Sequence, residues 1–281
     1  MGSPLNRRNP RNPRLNSQDE VLYNQAVTPE TAEQLARLNA QFYEQFGDDF
    51  GDSRPRLNPG VRRVIDQVAE GAAVIDAGCG DAKVGRRLPG RRYLGLDASA
   101  ALLDRARELT NVSGGRADLI SLADLSRWPA DAPDVALCRL DLLTPDVELI
   151  PSQRADWVLA LAVLHHIPGR EQRQDLVGRW AAWLKPHGRL AISCWQPQRG
   201  PRAERLRHPW SEVGLSDDTL EANDWLLGWK RKGRSGLRYV HVVAPDEMSE
   251  LLDRAGLKLF ERFSDDGHRR DQADYVIAGR P

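Results

Sequence analysis

The 281-residue sequence predicts an α/β fold: a seven-stranded, mostly parallel sheet with helices on both faces and a lid insertion after strand five. Three observations predict it. Between residues 72 and 194, short apolar runs bounded by Gly or Asp alternate with helical patterns, as buried parallel strands and their crossover helices do. The first run, Val74-Ile75-Asp76-Ala77, ends in Gly78-Cys79-Gly80, a turn that lets a ligand approach the backbone closely. Residues 196–244 then carry nine Lys or Arg against six acids and three of the eight Trp, a different texture, before the alternation resumes.

Residues 1–20 hold Arg7, Arg8, Arg11 and Arg14 and no acid before Asp19, so a disordered basic arm is expected there. Residues 21–281 are expected to form one domain. Thr28-Pro29-Glu30-Thr31 starts a helix, and Leu35, Leu38, Phe42 and Phe46 continue it at helical spacing. A loop over 47–59 contains Arg54, and a second helix follows at 60–70. Strands are expected at 72–76, 93–97, 134–140, 156–162, 189–194, 257–263 and 273–279, the last two as a hairpin that makes one edge antiparallel. Helices fall at 98–109, 171–184 and 246–255, the middle one stopped by Lys185-Pro186-His187-Gly188. Residues 111–133 read as an extra loop.

Composition narrows the function. Forty basic residues balance forty acidic ones, which excludes a globally basic nucleic-acid coat while leaving room for a local basic patch. The longest apolar run, 157–164, is too short to cross a bilayer. The N-terminus has no apolar signal core. Cys79, Cys138 and Cys194 lie far apart, giving neither a disulfide framework nor a zinc knuckle. No metal site and a reducing cytoplasm are the expectations.

The glycine turn carries most of the information. Asp97 ends the next strand 21 residues after Asp76, a separation that suits two ribose hydroxyls. The dinucleotide fingerprint fails because Lys83 stands where a third Gly or Ala belongs. The P-loop fails because Arg86 and Arg87 follow Gly85. What remains is the pattern VIDAGCGDAK with LGLDAS, which resembles motifs one and two of class I S-adenosylmethionine (SAM)-dependent methyltransferases over roughly residues 60–280. The resemblance implies a Rossmann-like domain that binds SAM. It puts Asp76 on the ammonium side, leaves room at Gly78 and Gly80, and gives Asp97 the ribose. Cys79, Ala98 and Leu161 join that cofactor set. With strand three at 134–140, Asp141 and Leu142 border the adenine; Asp124 is the other candidate for that acid.

Further segments narrow the family. FGDDFGDSR (46–54), AVLHH (162–166), Cys194-Trp195, Pro209-Trp210 and Arg238-Tyr239-Val240-His241-Val242 together resemble the tRNA wobble-uridine carboxymethyl methyltransferases, which esterify 5-carboxymethyluridine at position 34. The resemblance implies that Arg54 holds the substrate carboxylate, with His165 and His166 at the mouth of the site. Trp210, Arg238, Tyr239 and His241 are the implied substrate-binding residues near the lid. A tRNA acceptor and, as in eukaryotic members, a small zinc-binding activator subunit are the implied partners. The chain departs from the family at Asn58-Pro59, where a Trp-Pro is usual, and at Ala273-Asp274-Tyr275, where an Asn-Trp is usual. Leu164-His165-His166-Ile167-Pro168 occupies the place of the Asn/Asp-Pro-Pro-aromatic motif of ring-amine methyltransferases, which disfavours that acceptor.

Two readings of the lid stay open. Trp210, Trp225 and Trp229 among Lys230, Arg231, Lys232 and Arg234 suit a single-stranded anticodon loop, and equally suit a lid with its own small core. The alternative function is a SAM-dependent O-methyltransferase of a small acid or phenol. A non-catalytic SAM-binding scaffold is a third, opposed by the presence of Asp76, Gly78, Gly80 and Asp97.

Overall fold

The computed structural model describes residues 26–52, 56–88, 90, 92–128, 135–201 and 203–281. The expected basic arm and Arg54 lie outside the described residues.

The sheet is built outward from β1 (Ala73–Ala77), buried at all five positions. Its apolar run has no polar face because both sides are covered. β1 pairs in parallel with β2 (Arg92–Asp97) on one side and β5 (Ala155–Leu161) on the other. β4 (Val135–Arg139) extends the β2 side, and β6 (Leu184–Trp195) extends the β5 side. β11 (Ala273–Gly279) runs antiparallel to β6 and to the edge strand β10 (Lys258–Asp265), the expected hairpin.

One expectation is corrected. Residues 111–133 are not a plain loop, since they contain β3 (Ala117–Ile120), paired in parallel with β4 at the opposite edge. The order is β10-β11-β6-β5-β1-β2-β4-β3, eight strands rather than seven. β3 escaped because an edge strand of four residues, with only Ala117 fully buried, has no apolar run to read.

Helices cover both faces. α2 (Pro59–Ile65) and α3 (Ala100–Val112) pack Val64 and Leu103 against Val74 and Tyr93. α4 (Arg170–Trp183) and α6 (Pro245–Arg254) pack Trp180 and Leu251 against Ile75 and Val158. α5 (Ala203–Leu206) is one turn at the start of the insertion. No helix among the described residues is long and apolar enough to cross a membrane.

The insertion forms a second, antiparallel sheet, β7 (Arg207–His208), β8 (Asp224–Arg231) and β9 (Arg234–His241). The N-terminal helix α1 (Pro29–Asp52) belongs to this lid. Its Leu35 shares a core with Trp210, Leu226 and Tyr239. Its Phe42 and Phe46 meet the Trp229 ring at 5.8 and 5.1 Å, and Asp49 pairs with Arg234 at 2.7 Å. Lid and helix together roof the carboxyl ends of the parallel strands, where ligands of open α/β sheets bind.

Candidate active site

The strand ends and the roof enclose a cleft of about 1400 Å³. That exceeds the roughly 300–1,000 Å³ of a site for one drug-sized ligand. The floor is the turn after β1. Gly78 and Gly80 have φ of 76° and 56°, conformations that an L side chain resists. A Cβ on Gly78 would also lie 2.4 Å from the Val163 side chain. The amides of Gly78 and Cys79 both donate to the Leu96 carbonyl, which locks the turn onto β2.

Asp97, at the end of β2, faces this floor. Gly80 N–H donates to its Oδ2 at 2.8 Å and Ser99 N–H to its Oδ1 at 2.9 Å. Each oxygen keeps a lone pair for a ligand hydroxyl. Burial pushes the Asp97 carboxyl up; the amides of Ser99, Gly80 and Ala98 oppose this, and the Asp141 charge adds to it. Asp141, Leu142, Ala98, Cys79 and Leu161 also line the cleft. Asp124 does not. Its carboxylate is used in a capping box with Ser121.

Asp76 stands behind the floor. It is buried, accepts the Tyr93 hydroxyl at 2.6 Å and does not line the cleft. Burial raises its pKa to about 7, with Tyr93 opposing and Asp97 adding.

Another part of the cleft gathers side chains from several elements. His165 and His166 sit in the turn after β5, their rings 4.2 Å apart. Trp195 N–H faces Nδ1 of His165 at 3.3 Å, so neutral His165 carries its proton on Nε2. His166 Nδ1 lies 3.0 Å from the Tyr239 carbonyl oxygen, which only accepts. Nδ1 therefore holds the proton, and Nε2 accepts the Tyr43 hydroxyl at 2.7 Å. Asn39 clamps the group: its amide accepts Tyr239 N–H at 2.8 Å and donates to the carbonyls of Tyr239 and His166 at 3.1 and 3.2 Å. Arg238 enters from β9. Its guanidinium lies 5.0 Å from the Trp195 ring and 5.5 Å from the Phe42 ring, and Nη1 points to the Tyr43 hydroxyl at 3.4 Å.

Trp210, Tyr239 and His241 do not line the cleft. Strand alternation explains two of them. With Arg238 facing the cleft, Tyr239 and His241 face the opposite side of β9. Trp210 is buried in the lid core, Trp225 is buried, and Trp229 packs on α1. Glu221, Asp224 and His241 bring three ligand-type atoms within 4.8 Å of one another. Glu221 is already bonded to Arg173, and both His241 nitrogens face carboxylates, so the group is a closed ion network rather than an open metal cage.

Residues 75–190 match the sequence model of a methyltransferase domain family. A tRNA (carboxymethyluridine(34)-5-O)-methyltransferase of Schizosaccharomyces pombe is 23% identical over 85% of this chain and 94% of its own length. A trans-aconitate 2-methyltransferase of Paracidovorax citrulli is 29% identical over 62% of this chain and 58% of its own. The magnesium protoporphyrin IX methyltransferase of Synechocystis PCC 6803, solved with bound SAH, superposes with a TM-score of 0.55 at 18% identity, over 86% of this chain and 97% of its own. The chain carries a class I SAM-dependent methyltransferase domain.

SAM is the cofactor of this methyltransferase, and the residues at the glycine end of the cleft fit it. A Cβ at Gly80 would meet nothing within 4 Å, so the floor is open to a ligand there. Asp97 offers paired acceptors for a diol, and Ala98 and Leu142 give apolar surface for a base. Sequence reasoning missed Tyr43 and Asn39. They lie 123 and 127 residues before His166, and no local pattern marks a polar residue on an amphipathic helix as facing a site.

Proposed function

We propose that this methyltransferase esterifies a carboxylate, and that its acceptor is the 5-carboxymethyluridine at the wobble position of tRNA. The observation that carries the reading is Arg238. A buried guanidinium, beside the Trp195 and Phe42 rings, lines the same cleft as Asp97. An arginine in that place suits a bound carboxylate. The relationship to the S. pombe enzyme supports the nucleoside part of the reading.

When bound, SAM supplies a methyl group already activated on a sulfonium. The chain supplies proximity and alignment. Arg238 would hold one oxygen of the acceptor carboxylate and leave the other free to attack. A carboxylate with a pKa of about 4 is ionised at neutral pH, so no residue must take its proton. Tyr43 and His166 orient the acceptor, and α1 excludes water.

The test is methyl transfer from labelled SAM to tRNA lacking the wobble ester. Label that enters the RNA and leaves in mild alkali is an ester and supports the reading. SAM binding with no transfer to tRNA, either alone or with a small zinc-binding activator subunit present, sinks it. A second reading is a small-molecule acid as acceptor. It is favoured by Trp210, Trp225 and Trp229, which are used in packing and offer no free stacking platform.

A further inference from the structure

Behind the active-site face of β9 lies a buried ion network that the reaction does not touch. Arg173 of α4, 1% exposed at its side chain, donates to Glu221 at 2.6 Å and to Glu247 of α6 at 2.7 Å. Its third contact is the Ile167 carbonyl, one residue beyond His166. His241 donates from Nδ1 to Asp224 at 2.7 Å, with Glu221 at 3.3 Å, and from Nε2 to Glu247 at 2.9 Å. The Tyr239 hydroxyl donates to the same Asp224 oxygen at 2.8 Å.

Both ring nitrogens of His241 face carboxylates, which only accept when ionised. The ring is therefore doubly protonated. Three carboxylates are then met by two cations. Were His241 neutral, one nitrogen lone pair would face a carboxylate oxygen, and Arg173 alone would balance three acids. The cost of such a gap is high in a buried site.

The network is joined to the site through main chain. Tyr239, whose hydroxyl the network holds, presents its carbonyl to His166 Nδ1 and its amide to Asn39. Arg238 is the preceding residue on the same strand. We propose that this network, centred on a His241 imidazolium, is a positioning device that sets His166 and Arg238 against the acceptor. The proposal rests on the reading of those two residues as acceptor-side groups. It gives the Arg238-Tyr239-Val240-His241 segment a divided role: Arg238 meets the acceptor, while Tyr239 and His241 hold the strand in register from behind.

The groups facing His241 are Asp224 at the start of β8 and Glu221 three residues before it, Tyr239 on its own strand, Glu247 on α6 and Arg173 on α4. Burial and the Arg173 charge press the His241 pKa down, and the bonds to Asp224 and Glu247 outweigh them and hold it above its ordinary value. Its contribution is thus complete below the ordinary histidine range and is lost as pH rises through the raised value.

The experiment has two arms. NMR of the histidine ring nitrogens in the wild-type protein is expected to show a buried histidine protonated on both nitrogens at neutral pH. A set of rings that are all neutral there overturns the proposal, whatever the acceptor. Kinetically, kcat/KM is expected to fall on an alkaline limb. Glu247→Gln keeps the packing and removes one charge, so it should move that limb to lower pH while SAM affinity stays unchanged. His241→Gln should lower kcat/KM about 100-fold through misplacement of the acceptor, again with SAM affinity intact. A limb that does not move in Glu247→Gln overturns the proposal. If tRNA accepts no methyl at all, the function reading fails and the NMR arm still decides the network.

Discussion

On the proposed reading, Asp97 serves the cofactor and Tyr43 the acceptor. Asp97 is held by two amides and aimed into the cleft from the end of β2. Asp97→Ala removes hydrogen bonds to a charged group, worth about 1.5–3 kcal/mol each. SAM binding measured by calorimetry should therefore weaken about 100-fold or more for the two bonds to the diol, and an unchanged affinity would contradict the ribose role. Tyr43→Phe acts on the acceptor side. It removes the hydroxyl that joins His166 Nε2 to Arg238 and leaves the ring packed on Phe42. The loss of one such bond, about 1 kcal/mol, should lower kcat/KM several-fold with SAM affinity retained. A parallel fall in SAM affinity would place Tyr43 on the cofactor side instead.

At the scale of elements, the site depends on α1 lying close to β9. Gly236 is a point of close approach: a Cβ there would sit 2.5 Å from the Phe46 ring and 3.1 Å from that of Phe42. Gly236→Ala should push the helix off the strand at about 1–3 kcal/mol. It should lower the melting temperature and raise the acceptor KM more than the SAM Kd. Wild-type values for both would mean that the roof is not rigid. The same closeness explains what the sequence could reveal. β1 and its glycine turn were legible because burial on both faces leaves an apolar run broken only by Asp76, and the turn needs positive φ. The lid strands were not, since β8 and β9 read as mixed aromatic and basic until one sees that Trp229 of β8 packs on α1 and Arg234 of β9 pairs with Asp49. Arg238, Tyr239 and His241 were legible as a motif but not in their facing. Strand alternation divides them only once the strand is known. Asn39 and Tyr43 had no signal because their partners are brought together by tertiary packing alone.

Across the whole molecule, the cleft proposed to hold the cofactor has one acid at its floor and a second, buried one behind it. Asp97, with its pKa raised, faces the cleft, and Asp76, with its pKa raised to about 7, stands behind the floor. Each is raised first by burial, and the Asp97 charge further raises Asp76. Near neutral pH a share of the free protein therefore holds a proton on Asp76. SAM carries an ammonium and a sulfonium against one carboxylate. A net cation entering the cleft favours the ionised carboxylates and lowers their pKa. Binding must then release protons, and by linkage SAM affinity must rise as pH rises through about 7 and level off above it. Calorimetry in buffers of different ionisation enthalpy should register proton release that is greatest on the acid side of 7. Asp76→Asn keeps an oxygen for the Tyr93 hydroxyl and cannot ionise. It should remove the part of the pH dependence centred near 7 and leave the part due to Asp97. An affinity independent of pH, or a dependence identical in Asp76→Asn, would mean that the charge behind the floor does not sense the ligand, and the glycine turn would then act through shape alone.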